Sequence, residues 1–124
     1  MTTVFEKGLL EHVQGLGLTE RTWQGLAPED TSPESEFIVL QTISAQGARE
    51  AGVLHPMVQA DCYAPTIQRA TVLAEKLVGA LDLESFEADG MRYEGVRAER
   101  TGAIRVDDGT YKVPVQIYFS CMEA

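Results

Sequence analysis

Apolar side chains recur along this chain with two different periods, and each period predicts an element. Over Thr3–Gln14, the residues Val4, Phe5, Leu9, Leu10 and Val13 stand one, three and four apart, the spacing of one helix face, with Thr2 or Thr3 placed to cap it. Gly15 and Gly17 break the pattern, and 25–35 carries two prolines among acidic and hydroxyl residues, the chemistry of a solvated connection. Trp23 reads as an aromatic anchor docking that connection onto the core, with a ligand platform as the alternative. Glu36–Ile43, rich in Phe, Ile and Val, predicts a first strand. Ser44–Leu54 is small, polar and bracketed by Gly47 and Gly52, and reads as a long hairpin loop.

A second strand follows over His55–Tyr63, with Val58, Ala60 and Cys62 on the side expected to face inward. Pro65 stands at a plausible first helical position. Ile67, Ala70, Leu73, Ala74, Leu77, Val78 and Leu81 then repeat at three and four, predicting a helix that ends near Gly79 or Asp82. The last third reads as antiparallel β: Met91–Glu99, a short candidate strand over Ala103–Val106, a turn at Asp107–Gly109, and Tyr111–Cys121. In the final segment Val113, Val115, Ile117, Phe119 and Cys121 share a face, and Pro114, which cannot donate to a ladder, suggests an edge strand or a strand start. The expected fold is α+β over 1–124 as one domain: a mainly antiparallel sheet of four to five strands packed against a long central helix, with an N-terminal helix.

Composition changes this picture little. The 124 residues are 44% hydrophobic and 23% charged, ordinary values for a folded chain. The formal charge of −9 disfavours a grip on phosphate backbones, so no sequence-specific nucleic-acid binding is expected, although such a surface suits DNA that must pass without sticking. Neither a basic leader followed by an apolar run nor a membrane-length apolar stretch is present, and no membrane partner is expected.

The search for chemistry finds no catalytic centre, metal site or cofactor site. His12 and His55 have no ligand-pair spacing. Cys62 and His55 lie seven residues apart along one extended segment, about 20 Å at the strand rise, too far for a nucleophile pair. Asp61 stands without a second tuned group, and both cysteines read as buried reduced thiols. Gly15-Leu16-Gly17 follows a helix and lacks a phosphate-cradle ending, and the acidic run at 29–36 lacks the glycine of a metal loop.

The segment Val58-Gln59-Ala60-Asp61-Cys62-Tyr63-Ala64, running through Pro65 into the amphipathic stretch ending Ala80-Leu81, resembles the central strand and helix of phage tail-terminator and tail-completion proteins. The pieces around it fit the same order: an N-terminal helix, a Pro-rich approach, a first strand, a loop and a C-terminal hairpin. That resemblance implies a virion protein, assembled in the host cytoplasm, that forms a homo-hexameric ring at the head-proximal end of a tail tube. Such a ring stops tube polymerisation and offers a docking surface to the head–tail connector, with the tube protein and the connector as partners. The 44–54 loop and the 88–109 hairpin are the candidate contacts, with Arg49, Glu50, Arg97, Glu99, Arg100 and Arg105 able to supply complementary charge between subunits. A connector or minor capsid role is the first alternative. A small-ligand domain lined by Trp23, His55, Asp61 and Tyr63 is the second.

Overall fold

The computed structural model describes residues 5–19, 21–25, 36–48, 52–107 and 109–124. Their order is α1 (Phe5–Gly15), β1 (Thr22–Gln24), β2 (Phe37–Ala48), β3 (Val53–Ala64), α2 (Ile67–Leu81), β4 (Phe86–Ala88), β5 (Met91–Arg100), β6 (Ile104–Asp107) and β7 (Thr110–Glu123). The seven strands form one sheet in the order β1-β2-β3-β7-β5-β4, with β6 also paired to β7. The pairings are antiparallel except β1–β2, where Thr22–Gln24 run parallel to Ile38–Leu40.

This corrects the expected architecture. The structure is 53% strand, and the sheet is mixed, curls into a half-barrel and has seven strands where four to five were expected. No long central helix organises it: α2 has 15 residues and lies on one face of the sheet as a cover. The reason lies in the backbone. β1 and β4 are three residues each, too short to show any period, and they exist because a neighbouring strand offers them hydrogen bonds. Likewise, most of 44–54 is not loop. Ala45–Ala48 pair with Val53–Pro56, extending the β2–β3 hairpin, although the tip at Arg49–Ala51 lies outside the described residues.

The two faces of the sheet differ. On one, Ile38, Leu40, Val58, Ala60, Cys62, Val113, Val115, Ile117 and Cys121 are buried under the helices. α2 begins at Thr66, whose Oγ1 accepts from the Arg69 N–H at 3.1 Å; Pro65 therefore precedes the cap and is not the first helical residue. The helix buries Leu73, Leu77 and Leu81, each stabilising by about 1.5–3 kcal/mol through water exclusion. α1 is held by a column of rings. His12 stacks on Phe86 at 3.6 Å, Phe86 on Tyr93 at 4.6 Å, and Phe119 closes on both Tyr93 and Phe5. The Tyr93 hydroxyl donates to the Phe5 carbonyl at 2.6 Å, which ties the first turn of α1 to the sheet.

Strand β7 carries the topology, and with it a second correction: it is interior, with β3 on one side and β5 and β6 on the other. Pro114 is tolerated because of where it falls. β7 pairs with β6 through Lys112 and with β5 from Val115 onward, so Pro114 stands at the exchange between partners. Its carbonyl accepts from the Thr101 N–H at 3.0 Å, and a strand residue points its N and O to the same side, so the missing donor faces the gap between β5 and β6.

Gly8 shows how closely α1 is seated. A Cβ there would clash with the Tyr93 hydroxyl and approach the Ala88 carbonyl oxygen to 2.8 Å. Gly8→Ala is therefore expected to lower the urea midpoint, although helix propensity alone would favour alanine by about 1 kcal/mol. A midpoint that rises would show that α1 is free to shift.

Candidate assembly surface

The second face of the sheet carries no helix among the described residues. Register places its side chains in rows across β2, β3 and β7: Phe37, Tyr63 and Lys112; Val39, Asp61 and Pro114; Gln41, Gln59 and Gln116. Trp23 sits edge-on to Phe37 at 5.4 Å, and Phe37 stacks on Tyr63 at 4.5 Å, so the tryptophan is an anchor for β1 against this face. Asp61 is 1% exposed. Its carboxylate accepts from Gln59 Nε2 at 2.9 Å and from Lys112 Nζ at 3.4 Å, and Lys112 lies over the Tyr63 ring. Burial pushes the Tyr63 hydroxyl up, Lys112 pulls it down, and Asp61 adds to the rise.

These groups do not converge on one pocket. His55 lies on the same face as Asp61 but six residues along β3, where its Nδ1 meets Ser120 Oγ at 3.1 Å. His12 is held in the ring column, and burial there lowers its pKa against a smaller opposing pull from Glu84. Among the described residues, no group of three His, Cys, Asp or Glu side chains can hold a metal ion.

Of the six predicted interface residues, Arg49 and Glu50 lie outside the described residues. Arg97 reaches Asp82 at 3.3 Å and Arg100 reaches Glu75 at 3.0 Å, so two of the arginines already bind residues of α2 or its C-cap. Asp82 does more than pair. It accepts from the Ala98 N–H at 2.9 Å while the Leu83 N–H donates to the Val96 carbonyl, so this corner caps the edge of β5. The Ala98 hydrogen bond holds the Asp82 carboxyl below the usual carboxylate range against a smaller desolvation effect, and Arg97 adds to the lowering. Glu99 is exposed opposite Gln116, and Arg105 is exposed on β6 opposite Tyr111.

What the charge pattern misses is apolar. All four residues of β6 are exposed, and Ile104 and Val106 are each 47% exposed. Across the sheet Ile43 is 50% exposed, within the bulge between Thr42 and Ser44. The run Ile104-Arg105-Val106 has strand composition, which was the available signal. Neither β6 nor β2 beyond Leu40 is flanked by a further strand on its outer side among the described residues.

No family model matches the chain, and no curated protein matches it. A solved structure is similar over 97% of this chain and 92% of its own length, with a TM-score of 0.66 and 14% sequence identity. At that identity the likeness shows the fold alone.

Two tests address the buried groups on the two faces of the sheet. Lys112→Met leaves the Asp61 carboxylate buried with fewer donors and is expected to cost about 1–3 kcal/mol in urea denaturation, while adding Asp61→Val should recover part of the loss. An unchanged single variant would show that water replaces the lysine. Both thiols are buried, and burial raises both thiol pKa values, that of Cys121 to about 11. Neither should react with iodoacetamide in the folded protein at pH 8, and both should react in denaturant; rapid native labelling would mean that the sheet opens locally.

Proposed function

We propose that this chain is a self-associating structural subunit that forms a ring at the head-proximal end of a phage or phage-like tail tube. There it ends tube growth and presents the surface on which the head–tail connector docks. The observation that carries this reading is β6, a strand whose four residues are all exposed on a domain that otherwise has a well-filled core. An exposed edge with branched apolar side chains is a hazard for a protein that works alone, because it invites pairing with another chain. In a subunit made to join copies of itself, the same edge is useful.

Two further points support the reading. The segment 58–81, on which the resemblance to tail-terminator proteins rests, forms a strand followed directly by a capped helix. The formal charge of −9 suits a ring through which DNA passes, since acidic walls do not hold phosphates.

Light scattering after size exclusion, over a range of concentrations, with negative-stain imaging, tests it. Closed rings of about six copies are expected, given head-to-tail contacts that close. A chain that stays monomeric and also fails to arrest growth of purified tail-tube protein would overturn the reading.

A further inference from the structure

Among the described residues, two of the unflanked margins, β6 and the outer side of β2 beyond Leu40, stand on opposite sides of the sheet. We propose that β6 of one copy pairs with β2 of the next at Thr42–Ser44, so that a single sheet runs from subunit to subunit. This inference rests on the self-association proposed above and adds the contact by which it happens.

Three features of the margins match. Direction is the first. Both β2 and β7 run antiparallel to β3, and β6 runs antiparallel to β7, so β6 is antiparallel to β2 within one chain. A neighbour displaced along the hydrogen-bonding direction therefore brings β6 to β2 in antiparallel sense, which suits ladder formation.

The second is the match of faces. Ile104 stands opposite Lys112, on the helix-free face, and the exposed Val106 lies in the irregularity between Arg105 and Asp107. On β2, Ser44 pairs with Met57 on that same face, and the exposed Ile43 lies beside it in the bulge. Continuing the sheet thus brings the exposed aliphatic side chain of Ile104 to that of Ile43.

The third is stagger. β6 lies level with Phe37 through Lys112 and Tyr63, whereas the free margin of β2 is six residues further on. That offset is about 20 Å along the strands, accumulated over four strand spacings of about 19 Å in all. A closed ring absorbs it by tilting its strands near 45° to the axis, at the steep end of the ~35–45° that closed sheets adopt.

Cysteine cross-linking tests the pairing. Ile43→Cys and Ile104→Cys replace exposed side chains, and the native thiols are buried. Mixing the two single variants under mild oxidation should give a covalent dimer that neither gives alone, and the double variant should give a ladder. Self-cross-linking of either single variant as efficient as the mixture would mean a two-fold contact and overturn the proposal. Rings that form without cross-links would overturn the pairing yet leave the ring reading intact; cross-linked open chains of no fixed length would do the reverse. As a control independent of thiols, Ile104→Lys with Val106→Lys should shift the assembled mass to monomer with the thermal midpoint of the domain unchanged. Full assembly of that variant would overturn the pairing.

Discussion

Strand β7 must satisfy its backbone on both sides over 14 residues, and the rest of the molecule is arranged around that requirement. On one side β3 matches it almost residue for residue. On the other, two strands share the work, and the exchange falls where Pro114 has no N–H to offer. β6 is a consequence of that exchange. Once β5 ends at Arg100, the chain continues in the same direction along the remaining part of β7, and that continuation, β6, has no strand on its outer side among the described residues. The proline that looks like a defect in a ladder is thus what permits an outlying strand.

The sequence was legible where burial imposes a period. The alternation Val113, Val115, Ile117, Phe119, Cys121 is a buried stripe, and the three-and-four spacing of Leu73, Leu77 and Leu81 marks the buried face of α2. It was misleading where pairing alone defines the element. Thr22–Gln24 and Phe86–Ala88 have no pattern to read, and without them the sheet looks smaller than it is. A usable signal was present at Asp89-Gly90, whose positive φ values of 53° and 76° make the tight turn that joins β4 to β5. Pro114 pointed to an edge because sequence does not reveal that a partner strand changes beside it. Weighting the sheet by its few long segments made the helix look central.

The candidate surface was less legible than the fold. Charged residues in loops drew attention because charge can be complementary between subunits, yet Arg97 and Arg100 pair with Asp82 and Glu75 of their own chain. Such exposed pairs contribute about 0–1 kcal/mol each, so charge alone says little about where a partner binds. Buried polar groups were equally hard to place. Asp61 looked isolated along the chain, but Gln59 sits two residues away on the same face, and Lys112 comes from a strand 51 residues distant. Neighbours of that kind arise from register, which sequence spacing does not contain.

Charge returns at the level of the proposed assembly, with the opposite sign of effect. Copies that each carry −9 repel one another as they approach. Edge pairing, in contrast, acts only within hydrogen-bonding reach, while the repulsion extends over a Debye length of about 8 Å at physiological salt. Between free copies the repulsion is met first and the ladder last. Where copies are already held side by side, as on the end of a tube, that approach has been made, and the short β6 edge has only to close a remaining gap. An edge of four residues with two exposed aliphatic side chains suits this division: free copies are expected to close into rings only as concentration and salt offset their repulsion, and neighbours already held in place join more readily.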